Sequence, residues 1–272
     1  MSLVEPEASS RVAAIGRRAR IVAVANQKGG VGKTTTAVNL ATAFAVQGRR
    51  LLVVDLDPQA NATTGFGIAD EPTITSYELL CGEAELEAAA KVTTVPNLWI
   101  VPASPDLAAA EIELSDKPRR EFLLADAMRG RLGGYDDVVI DCPPSLNLLT
   151  INALTAADRV LVPLQCEFYA LAGLAQLMGT IERVQRSLNP RLALQGVVLT
   201  MYDRRNNLCE LVAADVRGHF GKKVYNTVIP RNIRVSEAPS HGLPVLVYDQ
   251  RSSGAQAYIK LAAEILGDGS AI

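Results

Sequence analysis

Two kinds of feature in this chain have the residue types and spacing for phosphate chemistry: a lysine and threonine behind a glycine turn, and aspartates at the ends of apolar runs. The turn is Asn26-Gln27-Lys28-Gly29-Gly30-Val31-Gly32-Lys33-Thr34-Thr35-Thr36. It leaves the apolar run Ile21-Val22-Ala23-Val24-Ala25 and enters a helical pattern with Ala37, Leu40, Ala41, Phe44 and Ala45. Between a strand and a helix N-terminus, the backbone N–H groups of such a turn can cradle phosphates. Gly32-Lys33-Thr34 supplies the usual ending, Lys33 for the β- and γ-phosphates and the Thr34 hydroxyl for Mg²⁺. The usual opening is absent. Gln27 stands where a standard phosphate loop has glycine, and Lys28 follows as a second lysine. That lysine would either add charge locally or reach a nucleotide held by another subunit.

Asp141 closes the run Asp137-Val138-Val139-Ile140 and suits the carboxylate that holds hydrated Mg²⁺ in phosphate-loop proteins. Asp55 and Asp57 close Leu51-Leu52-Val53-Val54. One residue apart, they point to the same side of an extended segment. One can face magnesium while the other faces an attacking water. Orienting water in line with a γ-phosphate is a positioning task that needs no strong base.

The elements that must position these groups can be read in order. A first helix is expected over about Thr34–Gln47, stopped at Gly48, a residue suited to a left-handed C-terminal cap. Uninterrupted apolar runs mark strands buried on both faces of a parallel sheet. They occur at Ile21–Ala25, Leu51–Val54, Leu98–Val101, Asp137–Asp141, Arg159–Pro163, Leu194–Thr200 and Thr227–Ile229. Helices are expected over Asp106–Leu114, Arg119–Leu132, Ala170–Leu188, Asn207–Phe220 and Ala255–Leu266, with residues 60–97 less regular. Alternating strands and helices predict an α/β fold: one doubly wound, mainly parallel sheet with helices on both faces. In such a sheet ligands sit beyond the carboxyl ends of the strands, where the glycine turn and the aspartates lie.

Composition sets the outer limits. The 272 residues are 49% hydrophobic and 21% charged, which supports a substantial core in a single domain spanning 20–272. Residues 1–19 read as a mobile tail whose arginines could make a weak basic contact. A formal charge of −2 argues against wholesale polyanion binding. Cys81, Cys142, Cys166 and Cys209 are far apart, so neither a zinc site, an iron–sulfur cluster nor a disulfide framework is expected. No apolar run reaches the ~18 residues of a membrane span.

Taken together, the motifs resemble those of a known family. Lys28-Gly29-Gly30-Val31-Gly32-Lys33-Thr34-Thr35 is similar to the deviant Walker A motif of the ParA/MinD group of P-loop ATPases. Val54-Asp55-Leu56-Asp57-Pro58-Gln59-Ala60-Asn61 resembles the Walker A′ motif of the ParA branch, and Val139–Ser145 its Walker B. The likeness continues through Glu167–Leu171, Ile229–Pro239 and Tyr248–Tyr258, covering about residues 20–266 in order. It implies a P-loop NTPase fold and slow hydrolysis of ATP with Mg²⁺ as cofactor. Lys33 and the loop residues Gly29 to Thr35 would bind phosphates. Lys28 would cross the interface of an ATP-sandwich homodimer, and Asp57 would be the hydrolytic aspartate. Pro230 and Asn232 would line the adenine pocket, and Arg205 and Arg234 would contact DNA.

The basic character of that last region is independently visible. Residues 203–234 hold Arg204, Arg205, Arg217, Lys222, Lys223, Arg231 and Arg234 against Asp203, Glu210 and Asp215. Such a patch would bind backbone phosphates without reading bases. The resemblance thus implies an ATPase that binds non-specific double-stranded DNA and segregates a chromosome or plasmid. A ParB-like centromere-binding partner would stimulate it, in the nucleoid-associated cytoplasm of a bacterium.

The competing readings are a ParA-like ATPase positioning other cargo and a MinD-like one at the membrane surface. The latter expects a C-terminal amphipathic helix with lysines and large apolar residues. The chain instead ends Gly267-Asp268-Gly269-Ser270-Ala271-Ile272, so no stable membrane association is expected. Nor is operator binding by an added N-terminal module of ~100 residues expected. Two departures stand out: Ala60 where the family commonly has glycine, and Ala172 where it commonly has glutamate.

Overall fold

The structure is a computed structural model, and it describes residues 18–68 and 72–268. Seven strands form one sheet: β1 (Arg20–Val24), β2 (Leu51–Asp55), β3 (Lys91–Val92), β4 (Leu98–Val101), β5 (Asp137–Asp141), β6 (Arg159–Gln165) and β7 (Ala193–Thr200). Their spatial order is β3-β4-β2-β5-β1-β6-β7, and every pairing is parallel except the short β3–β4 pair. The chain winds outward from the centre on both sides of β1, which is the expected doubly wound architecture.

Successive residues of a strand face opposite sides of a sheet, and here each side is a core. Leu52 and Val54 of β2 enter one cluster with Val138 and Ile140 of β5, whereas Leu51 and Val53 enter the other with Val139. All five residues of β2 are buried, as are all five of β5. That double burial is why these strands read as continuous apolar runs.

The helices are α1 (Lys33–Val46), α2 (Asn61–Gly65), α3 (Ser76–Cys81), α4 (Leu86–Ala89), α5 (Leu107–Glu113), α6 (Leu123–Met128), α7 (Leu148–Ala156), α8 (Ala170–Ser187), α9 (Asn207–Phe220), α10 (Ile233–Glu237), α11 (Val245–Tyr248) and α12 (Ser253–Asp268). Helix α1 is enclosed between the sheet, α2, α11 and α12. Its buried polar groups are consequently paired: Thr36 with the Tyr258 hydroxyl at 3.3 Å, and Asn39 Oδ1 accepting from the Val245 amide at 2.7 Å. An unpaired buried polar group would cost free energy, so these bonds make the enclosure tolerable.

Three expectations change. Thr227–Ile229 is not a strand; the segment touches the sheet through isolated bridges, Val224 to Val197 and Pro230 to Tyr202. Pro230 has no N–H to extend a ladder. The helix expected over Arg119–Leu132 shortens to α6 with a 3₁₀ turn, Arg120–Phe122, before it. Of the expected tail, residues 1–17 lie outside the described residues. Arg18 and Ala19 pack: Ala19 is buried, and Arg18 bonds Asp158 at 2.9 Å.

Among the described residues no helix is long and apolar enough to cross a membrane, and no His/Cys/Asp/Glu cluster has the form of a metal centre. All four cysteines are free.

Candidate nucleotide and phosphate site

Beyond the carboxyl end of β1, residues 26–32 turn back over the start of α1. Gly30 and Gly32 adopt φ of +73° and +84°, a region open to glycine and strained for other residues. The turn is anchored on both sides. Asn26 donates to the Pro163 carbonyl at 2.8 Å, and the Thr200 hydroxyl donates to the Val31 carbonyl at 2.8 Å. Gly29, Gly30, Val31, Gly32, Lys33, Thr34 and Thr35 therefore form one fixed loop and helix start, as their spacing predicts.

Lys33 is 6% exposed, and its Nζ donates to the Lys28 carbonyl at 2.9 Å, arching across the loop. Burial lowers its pKa, while the nearby Asp141 and Asp57 favour its charged form. Asp141 is the register partner of both Val24 and Asp55, so the sheet itself places it beneath the loop. Its carboxylate is fully buried, and neither oxygen has a hydrogen-bond partner among the described residues. Burial, then the charges of Asp55 and Asp57, raise its pKa well above the carboxylate range. Thr34 and Lys33 pull the other way without offsetting those effects. A buried carboxylate with both oxygens unpaired is costly, and a cation is the group that would satisfy it.

Asp55 is different. Its Oδ2 accepts from the Thr63 amide at 2.9 Å and the Thr63 hydroxyl at 2.8 Å, and its Oδ1 accepts from the Asp57 amide at 3.1 Å. Burial raises its pKa to about 6 despite those bonds. Both oxygens of Asp55 are thus committed to fixing α2 and the turn after β2, whereas those of Asp141 are not. Sequence reasoning treated the pair alike because each simply ends an apolar run.

Asp57 is buried, and its Oδ1 takes the Gln59 amide at 3.0 Å. The Ala60 amide closes the turn on the Asp57 carbonyl at 2.8 Å. Ala60 holds φ +52°, ψ +32°, which explains why glycine suits this position. The left-handed conformation costs an L-residue about 1–2 kcal/mol, partly offset by the larger unfolded-state entropy of glycine. Ala60→Gly is accordingly expected to stabilise the fold by about 0.5–1 kcal/mol, read as a higher urea midpoint. A lowered midpoint would mean that the turn is not strained.

Lys28 is half exposed and makes an ion pair with Glu167, which follows β6. The next two residues, Phe168 and Tyr169, are 77% and 75% exposed and stack edge to face at 5.1 Å. Ala172, the second departure, is exposed one turn further on.

Past Thr200 and the left-handed Met201 (φ +49°), a cavity of about 840 Å³ opens between the residues after β7 and helix α12. Pro230 lines it, together with Tyr202, Arg204, Arg205, Arg231 and Lys260. Asn232 does not: its Oδ1 caps α10 through the Val235 amide and its Nδ2 donates to Ser253 at 2.8 Å. Lys260 was missed because only the tertiary fold brings α12 to this wall, and no spacing rule signals it.

The basic segment is divided by the structure. Arg204, Arg205 and Arg231 sit at the cavity, while Lys222 and Lys223 lie at the far end of α9, where Lys223 reaches the Leu194 carbonyl at 3.2 Å. Arg205 pairs with Asp203 through two bonds of 3.0 and 2.9 Å, and Arg234 with Glu237 at 2.9 Å and Asp249 at 3.5 Å. Both arginines are exposed, so these pairs are screened and exchange readily with other anions.

A phosphate loop, aspartates at the carboxyl edge of the sheet and an adjoining cavity define a P-loop nucleotide-binding protein. A family model described as an AAA domain matches residues 19–194. The chain is 61% identical over 250 residues to the chromosome partitioning protein ParA of Caulobacter vibrioides, covering 91% of this chain and 94% of that one. It is 53% identical to the sporulation initiation inhibitor protein Soj of Bacillus subtilis, over 92% and 99% of the two chains. A solved Mycobacterium smegmatis protein, described as cobyrinic acid a,c-diamide synthase with bound ADP and magnesium, aligns with TM-score 0.81 and 40% identity over 93% and 96%. The chain belongs to the ParA/MinD family of P-loop ATPases, in its ParA/Soj chromosome-partitioning branch.

Proposed function

We propose that this chain is a partition ATPase that pairs with a second copy when it binds Mg·ATP and, so paired, binds double-stranded DNA without sequence preference. A ParB-like centromere-binding partner then stimulates hydrolysis and releases it from the nucleoid, moving a chromosome or plasmid. The observation that carries this reading is Asp141, buried and unpaired beneath Lys33 and Thr34. Its carboxylate fits a cation held at a bound nucleotide.

Thr34 and Asp141 would hold the magnesium, with Asp55 bracing the turn behind them. The ion supplies neutralisation of charge on the β- and γ-oxygens. Lys33 binds those phosphates, and the loop amides orient them. The cavity lined by Pro230 accepts the base. Asp57 offers its second oxygen, which has no partner among the described residues, to the attacking water. Lys28 must leave Glu167 to reach a partner's nucleotide, and an exposed pair is weak enough to allow it. Phe168 and Tyr169, exposed beside that pair, suit burial against a second copy.

Arg205 and Arg234 supply DNA contacts by exchanging their carboxylate partners for phosphates. Arg234→Glu is expected to weaken ATP-dependent DNA retention at least about tenfold, by losing one charge-assisted contact and adding repulsion. ATP-dependent pairing should survive. A variant that lost both would show that the helix serves the subunit interface and not DNA.

A further inference from the structure

At the amino-terminal end of the sheet, opposite the phosphate loop, a cavity of about 420 Å³ lies where the chain enters β1 and α6 ends. Its size falls in the range of small-molecule sites. Arg18, Arg129, Arg191 and Thr155 line it, with Ile21 and Met128 in its apolar wall.

The charge there is not balanced. Arg18 pairs with Asp158 at 2.9 Å, and one carboxylate, Asp126, is shared by Arg119 at 3.3 Å and Arg129 at 2.6 Å. Asp158 also accepts from the Ile21 amide at 3.0 Å, so part of its charge is already engaged. Arg191 makes no ion pair among the described residues. Three arginines thus line one concavity, and the two aspartates that pair with Arg18 and Arg129 stand outside its lining. Thr155 is 7% exposed, and its hydroxyl has no hydrogen-bond partner among the described residues. Unpaired buried hydroxyls are uncommon and call for an occupant or an explanation. Arginine is always charged and presents a planar fork suited to carboxylates and phosphates. Nothing in nucleotide binding or DNA contact uses this end of the molecule.

We propose that this cavity is a second ligand site, for a small anion whose carboxylate or phosphate meets the arginines and whose apolar body lies against Ile21 and Met128. It would sit at the opposite end of β1 from Lys33, so ligand and nucleotide would not compete.

Phenyl phosphate tests this. It is titrated calorimetrically into the full chain saturated with MgADP, so that the phosphate loop is filled. One saturable site is expected. Arg191→Gln should weaken it roughly tenfold, the weight of one charge-assisted bond, with MgADP affinity and thermal midpoint unchanged. Inorganic phosphate should bind several-fold more weakly, because it lacks the apolar contact. Absence of saturation, or equal affinity in Arg191→Gln and the parent, would overturn the site. Equal affinity for the two anions would overturn its apolar half. Because Arg191 is remote from the phosphate loop, a failure of the nucleotide reading would appear separately, as lost MgADP binding.

Discussion

Replacing Asp57 by alanine is expected to lower ATP turnover at least about a hundredfold while nucleotide affinity changes no more than a few-fold, the pattern of a lost positioning group. The geometry separates the two effects. Asp57 is held by its own turn, through the Gln59 amide at 3.0 Å and the Ala60 amide at 2.8 Å, and makes no hydrogen bond to the phosphate loop. Removing its carboxylate leaves Lys33, Thr34 and Asp141 in place. It takes away a carboxylate whose second oxygen has no partner among the described residues, whereas both oxygens of Asp55 are committed and Asp141 suits the metal. The variant should therefore bind ATP, pair, and stay on DNA. Single-turnover phosphate release checks the rate, and equilibrium binding of a nucleotide checks the affinity. Hydrolysis at the parent rate would remove Asp57 from the water-positioning role.

Lys33→Gln should fail earlier in the cycle. Lys33 is buried under the loop, where burial already disfavours its charge and Asp141, Asp57 and the Lys28 carbonyl favour it. Glutamine keeps a donor but removes the cation that faces the β- and γ-phosphates. It also leaves Asp141 and Asp57 uncompensated beside a polyanion. Loss of charge-assisted bonds in such a site costs about 2–4 kcal/mol, so nucleotide affinity should fall between roughly 30-fold and 1,000-fold. Lys28→Gln should differ, because the Lys28 side chain is half exposed and paired with Glu167, whereas that of Lys33 is buried beside Asp141. Nucleotide affinity should hold while pairing and stimulated turnover fall. Equal loss of nucleotide affinity from the two substitutions would remove the distinction between an in-subunit and a cross-subunit lysine.

The parts of this molecule that were legible in the sequence are those where one physical cause dominates. Leu98–Val101 and Asp137–Asp141 match their expected bounds because burial on both faces leaves only apolar residues between polar ends. Helix α9 matches residue for residue, since Asn206 caps it through the Leu208 amide and Gly221 follows it. Helix α7 escaped notice for the opposite reason. Leu148–Ala156 is apolar nearly all round, so it has no amphipathic period, and only the Asn147 cap on the Thr150 amide marks its start. Thr227–Ile229 looked like a strand, yet Pro230 ends the run and only isolated bridges form.

The same division holds at the site. Lys33, Thr34 and the glycines follow a local motif and stand where that motif puts them. What separates Asp55 from Asp141 is packing: Thr63 reaches back eight residues to occupy Asp55, whereas the oxygens of Asp141 take no hydrogen bond from the described residues. The split of the basic segment along α9, the capping duty of Asn232 and the presence of Lys260 at the cavity are likewise products of packing.

On this proposal the phosphate loop, with its extra lysine, works as a site shared by two copies of the chain. Light scattering of the Asp57→Ala chain in MgATP and in MgADP tests it most directly. Twice the 29.0 kDa chain mass is expected in MgATP and the single-chain mass in MgADP, with Lys28→Gln in the same background returning the MgATP sample to single chains. A single-chain mass in MgATP, with ATP shown to be bound, would contradict it.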